Sequence, residues 1–308
     1  MGGTGRARQA TYAIFVFLCA VAIGMAVVWS ATHEDTRSRP PSVDPGARTE
    51  TPVGDDSNTP SPAGHDRSIA DRIEDPRVTE SSGLARSGVH PGVLYTHNDR
   101  GGLPHVFAID SSGTRAVLRL ATTMVDWEDA ATTPDGRLWI GDIGDNDLVR
   151  SEISVLVVDE PDVLTGADLP VQTYRFAYPD GPHDAEALLV HPTDGRVLIV
   201  TKDVAGGRVF GAPVQLALGD VNRLQDLGPA PPNVTGGDYS PDGSSFVLRN
   251  QGRAFFYDQI GSEPVVVPLP DQPQGESVTY TPDAGRILVG SEGARSAILR
   301  VGVPAFGS

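Results

Sequence analysis

Cysteine is almost absent from this chain of 308 residues, where Cys19 stands alone. An intrachain disulfide is therefore excluded, and so is any thiolate metal site beyond that position. Lysine is equally scarce. Lys202 is the only one, and arginine supplies the rest of the basic charge against 40 acidic residues, for a net charge of −16. So acidic a chain lacks the basic face that displaces counterions from phosphates, so nucleic acid is not expected as a partner. Common catalytic signatures are missing too. The glycines of "GDIGDN" (141–146) are not followed by a phosphate-loop lysine, and neither "HND" nor "PHDAE" has the spacing of a helical zinc site. Ser240 and Ser291 have no evident triad partners.

What is present begins with an uncharged apolar run, "TYAIFVFLCAVAIGMAVVWSAT", residues 11–32. Its length matches the roughly 20 residues that cross a bilayer as a helix. Arg6 and Arg8 precede it, and Glu34 and Asp35 follow. The positive-inside tendency then keeps residues 1–10 cytoplasmic and exports the remainder. A single-pass transmembrane anchor is expected over residues 11–31. A cleaved signal peptide is the alternative, although the run exceeds the roughly 7–15 apolar residues of a signal core. Over residues 32–70 Pro, Ser, Thr, Asp and Gly dominate. Such a composition cannot bury enough apolar surface to offset its ordering entropy, and a disordered linker is expected.

Residues 71–308 show almost no helical periodicity. Short β-rich runs alternate with Gly, Pro and Asp, which points to an all-β fold. Four segments align: "EDAATTPDGRLWIGD" from Glu128, "EALLVHPTDGRVLIVTKD" from Glu186, "TGGDYSPDGSSFVLRN" from Thr235 and "ESVTYTPDAGRILVGSEG" from Glu276. Each places a proline six residues on, at Pro134, Pro192, Pro241 and Pro282, then a turn and a second apolar strand. A degenerate copy, "SGLARSGVHPGVLYTHND", starts at Ser82. Spacings of 46, 58, 49 and 41 residues approach the roughly 40–50 residues of one propeller blade. The expected fold is a β-propeller of five blades, with six as the alternative if the long step hides a divergent blade. A strand within "RIEDPRVT" (72–79) is expected to complete the last blade.

The Asp-Gly pairs at 135–136, 194–195 and 242–243 read as turn formers. The acids at the strand ends read differently. Two-residue turns would set Glu186 opposite Asp203, Thr235 opposite Asn250 and Glu128 opposite Ile143, and a three-residue turn would set Glu276 opposite Glu292. The first strand of each propeller blade lines the central channel. Equivalent positions then form a ring of Ser82, Glu128, Glu186, Thr235 and Glu276. Carboxylates converging in a narrow channel call for a counter-charge, and hard oxygen donors suit calcium. Small neighbours, Ala130, Ala131, Gly236 and Gly237, fit a crowded axis. A rim of His97, Asp99, Trp127, Asp142, Asp145, Asn146, Lys202, Asp203, Asn250 and Glu292 would lie above the ion and bind a ligand.

At these residues the chain resembles known groups. "PDGRLWIGD" and "SPDGSSFVLR" look like the repeats of TolB-like and WD40-like bacterial propellers. "ESSGLA", "WEDA", "AEAL", "TGGD" and "GESV" resemble calcium-activated nucleotidases (apyrases), five-bladed propellers with a central calcium held by serine and glutamate. That resemblance implies Ser82, Glu128, Glu186, Thr235 and Glu276 as ligands, with threonine where the family has serine. The basic residues that would neutralise a nucleotide's phosphates have no counterpart here. The pattern as a whole is similar to exported propeller proteins of high-GC Gram-positive bacteria. The expected protein is thus a monomeric, membrane-anchored extracytoplasmic propeller that binds calcium and acts as a ligand- or protein-binding module, its partner a cell-envelope ligand or a protein. The alternative is a calcium-dependent phosphoester hydrolase, apyrase- or phytase-like, with Glu128, Asp142 or His97 as base.

Overall fold

The structure, a computed structural model, describes residues 69–100 and 102–306. The expected anchor, residues 11–31, lies outside them, as does the expected linker except for Ile69 and Ala70. Among the described residues no helix is long and apolar enough to cross a membrane.

Five antiparallel sheets follow one another along the chain as the five blades of a propeller. Their innermost strands are Ser81–Arg86, Trp127–Thr133, Ala185–Val190, Gly236–Tyr239 and Gly275–Tyr280. The five expected blades are present, and the alternative of a sixth is not met among the described residues. The long step between the second and third copies is taken up by the loop before Ile153–Asp159 and by a short strand, Ala167–Leu169, which pairs in parallel with the edge of the first blade. In the second blade Val221–Arg223 adds a parallel edge in the same way.

Each blade packs both faces against neighbours, which is why its inner strands lose the polar–apolar alternation of a half-exposed sheet. All of Ala185–Val190 and Val197–Thr201 is buried. The period of two survives in the choice of neighbour. Leu188 and Val190 enter the core shared with the second blade, whereas Ala187 and Leu189 enter the one shared with the fourth. Five such cores, one per junction, close the circle, the last joining Leu84 and Phe107 to Ile298.

The closing strand is Ile69–Arg72, which pairs antiparallel with the outer strand Ala297–Gly302 of the fifth blade. It lies just upstream of the segment from which it was expected, overlapping it only at Arg72. "IEDPRVT" carries a proline and two acids, and instead runs inward, burying Ile73 and Val78 in the junction between the last and first blades.

The Asp-Gly turns take the expected role, with positive φ at Gly136, Gly195 and Gly243 and the aspartates accepting backbone N–H groups at Arg196 and Ser244. Their lengths differ from expectation. Val190 pairs with Val197 where a two-residue turn would set it opposite Ile199, and Thr133 pairs with Arg137 where it would face Leu138.

Candidate functional site

The altered turns go with a feature at the other end of the hairpins. Four innermost strands contain a one-residue β-bulge: between Ser81 and Leu84, Trp127 and Asp129, Ala185 and Ala187, and Gly275 and Val278. Ser82, Glu128, Glu186 and Glu276 all sit in these bulges. A bulge leaves its extra residue outside the ladder and re-aims its side chain. The cross-strand partners expected for Glu128, Glu186 and Glu276 are therefore corrected. Ala185 pairs with Thr201 and Ala187 with Val200, so Glu186 has no partner at Asp203. The fourth blade, without a bulge, keeps the expected register: Gly236 pairs with Arg249, and Thr235 lies one step beyond, beside Asn250.

The structure brings the three ring carboxylates together. Glu128, Glu186 and Glu276 are each 4–5% exposed. Glu128 belongs to two clusters in which every residue offers an oxygen within 4.8 Å of the others: Asp99, Asp126 and Glu128 in one, Glu128, Asp184 and Glu186 in the second. Burial, and then the neighbouring charge of Glu186, pushes the Glu128 carboxyl well above its ordinary pKa. Burial and Glu186 likewise push Glu276 up to about 7, and burial with Asp126 takes Asp99 to about 7. Lys202 is the compensating cation. Its ammonium lies 2.6 Å from Glu186 Oε1. Burial works against that charge, but Glu186 outweighs it and the lysine pKa stays above its usual value.

The ring hydroxyls have a second task. Ser82 Oγ donates to the Glu128 carbonyl at 2.6 Å, and Thr235 Oγ1 to the carbonyls of Gly275 and Glu276 at 3.1 Å. Each fastens its strand to the next around the ring, and only the oxygen lone pairs remain to face an ion. The expected small neighbours are required: a Cβ on Gly236 would lie 2.7 Å from the Glu276 carbonyl. Gly144 is equally constrained, since a Cβ there would meet the carboxylates of Glu128 and Asp126.

The rim differs more from expectation. His97 and Trp127 are fully buried beneath it, edge to face at 5.6 Å, and neither is available to a ligand above the ring. Burial lowers the His97 pKa to about 4, so the ring is neutral, its Nδ1 facing the Asn98 carbonyl. Asp142 accepts the backbone N–H groups of Val125 and Asp126 and pairs with Arg150 at 2.8 Å. Asp145 accepts from Val149 and Arg150. Both hold the loop rather than line an opening. Asn250 caps its own turn through Gly252 and Arg253, and Asp203 does the same through Ala205. Asn146 and Asp203 are exposed, and Lys202, Asp99 and Glu292 half-buried.

Two carboxylates at the centre, Asp126 and Asp184, were absent from the expected set. The signal was legible as a repeat of period two, Asp126-x-Glu128 and Asp184-x-Glu186, and the position two before the ring is polar in every copy: Glu80, Asp126, Asp184, Asn233 and Gln274. Asp129 was missed as well. Fully buried, it accepts N–H groups from Ala130, Leu188 and Gly237, joining the second, third and fourth blades through one carboxylate. Asp129→Ala orphans these donors. A loss of about 3 kcal/mol or more is expected in urea denaturation, and a change within about 0.5 kcal/mol would show that the clasp is idle.

The residues fit a divalent cation on one further ground. Glu276 Oε2, Asp126 Oδ1 and Asp99 Oδ1 are buried without a hydrogen-bond partner, which is unfavourable unless another positive group satisfies them. Beside Glu276 opens a cavity of about 430 Å³, lined also by Lys202, Asn233, Thr235, Asn250, Gln251 and Gln274, so the expected rim residues Lys202 and Asn250 do face an opening.

No protein-family model matches this chain, and a comparison with curated proteins finds no relative. Among solved structures it is similar to a gluconolactonase from Xanthomonas campestris (14% identity, TM-score 0.46, covering 78% of this chain and 92% of that one). It is also similar to a glutaminyl cyclase from Myxococcus xanthus (12%, 0.49, 78% and 98%) and to a luciferin-regenerating enzyme (13%, 0.45, 77% and 95%). Identities this low leave the chemistry of this chain to its own residues.

Proposed function

We propose that this protein is a membrane-tethered extracytoplasmic propeller whose acidic channel mouth binds a calcium ion and presents it to a cell-envelope ligand or partner protein. The observation that carries this reading is the convergence of Glu128, Asp184 and Glu186 within 4.8 Å, with Glu276 Oε2 buried and unpartnered. Calcium fits because the donors are carboxylates from separate blades and loops, and calcium accepts six to eight oxygens in flexible geometry. The ion would neutralise repulsion that Lys202 alone does not. The tether rests on the uncharged run at 11–31.

Calorimetry with Ca²⁺ tests this reading. Glu186→Ala removes a carboxylate from the cluster and is expected to weaken binding at least tenfold, because affinity in such sites follows ligand charge. Equal affinity in variant and wild type removes the ring. A second reading, a calcium-dependent phosphoester hydrolase, is favoured by the cavity beside Glu276 with the Lys202 ammonium in its wall, where a metal-polarised phosphoryl group could sit. A phosphate-release screen over nucleotides, sugar phosphates and phytate, with and without calcium, separates the two, and no release in any condition discards the enzyme.

A further inference from the structure

We propose that the mouth holds two divalent cations, the second bound by Asp99, Asp126 and Glu128, with Glu128 shared between them. This rests on the first cation at Glu128, Asp184 and Glu186 and adds the second group of three, which shares only Glu128 with the first. The three oxygens of the second cluster lie within 4.8 Å of one another, about twice the roughly 2.4 Å of a calcium–oxygen contact. A point between three such oxygens lies within about 2.8 Å of each, so one ion reaches all of them with a small inward movement of the carboxylates.

Acidic residues alone would not carry the proposal, since such clusters often face water. Here Asp126 is only 7% exposed, and its Oδ1 is buried with no hydrogen-bond partner, as is Asp99 Oδ1. The cation that approaches them is Arg100, at 3.7 Å from Asp99 and 3.9 Å from Asp126, on a side chain 55% exposed. Those separations are beyond hydrogen-bond length. Arg100 is a loose counter-ion that a metal would displace, whereas Lys202 at 2.6 Å is a formed partner of Glu186. Charge points the same way. Six carboxylates (Asp99, Asp126, Glu128, Asp184, Glu186 and Glu276) share the mouth with two basic side chains, Lys202 and Arg100. One divalent cation leaves this group negative, which favours a second.

The two sites join different blades. Asp99 follows the second strand of the first blade, while Asp126 and Glu128 belong to the second. Asp184 and Glu186 belong to the third. The pair of ions would thus pin three consecutive blades at the channel mouth.

The full-length protein, stripped with a chelator and titrated with Ca²⁺, should take up two ions per chain by native mass spectrometry and calorimetry. The double variant Asp99→Asn/Asp126→Asn should take up one. Manganese gives a reading that needs no variant. Two Mn²⁺ bridged by one carboxylate produce an exchange-coupled electron paramagnetic resonance spectrum with halved hyperfine spacing, where isolated ions give six lines. A single ion per wild-type chain, with a six-line spectrum at saturation, overturns the second site and leaves the first standing. Two ions retained by the folded double variant overturn the ligand assignment. No uptake by folded wild type overturns both sites.

Discussion

Glu128→Gln will abolish high-affinity calcium uptake and, in the absence of metal, raise the melting temperature. The two effects share one cause. Glu128 is 4% exposed, and its oxygens belong to both acidic clusters. Without an ion, ionising it means burying a charge beside Glu186, Asp99 and Asp126, and its pKa is driven up accordingly. Glutamine keeps the shape and removes the repulsion. Stabilisation is expected in chelator, read as a higher melting temperature. With calcium the order reverses, because the variant lacks the ligand that links the two clusters and should bind at least about a hundredfold more weakly. Paired thermal melts in chelator and in calcium check both halves. A variant that melts below wild type in chelator and still binds calcium would mean that Glu128 is a packing residue.

The second large effect is on pH. The stabilisation conferred by calcium should grow steadily from pH 5 to pH 8. Glu276 rises from 4.5 to about 7 in the folded state, and Asp99 from 3.8 to about 7. Between those limits the folded protein holds protons that the unfolded chain has released, so metal-free stability is full at low pH and is lost as pH climbs through about 7. Glu276 alone accounts for at most about 3 kcal/mol. His97 acts in the opposite sense. Its pKa falls from 6.5 to about 4, so its burial favours the folded state increasingly up to about pH 6.5 and no further. Asp75, held well below the ordinary carboxylate range by Arg77, matters only at more acid pH. Calcium binds the deprotonated carboxylates, and proton release on binding removes the loss at high pH. His97 and Asp75 cancel in the difference between loaded and stripped protein. Urea denaturation at stepped pH, with calcium and with chelator, measures that difference. A gap that stays constant or narrows towards pH 8 would sink the account.

The fold was largely legible because propeller blades repeat. Prolines six residues from each start and Asp-Gly turns marked the hairpins. The closing strand escaped because four residues, "IADR", carry little pattern of their own and are fixed by a partner more than 220 residues away, Ala297–Gly302. At the site, counting from the turns failed by one to three residues. Bulges shift register without any marker in composition, and the same bulges aim Glu128, Glu186 and Glu276 inward. His97 and Trp127 looked like ligands because they are polar or aromatic beside acids. His97 is buried by its close approach to Gly83, whose missing Cβ leaves room for the imidazole, and Trp127 packs edge to face against it.

Because the bulged residues stand outside the hydrogen-bonded ladder, the sheets do not depend on what they are. Swapping carboxylate for amide, hydroxyl or amine at Glu128, Glu186 and Glu276 removes no pair from the strand ladders. The pore is in effect an interchangeable lining within a fixed barrel stave pattern, and ion preference could be rewritten there, by evolution or by an engineer, without asking the scaffold to refold.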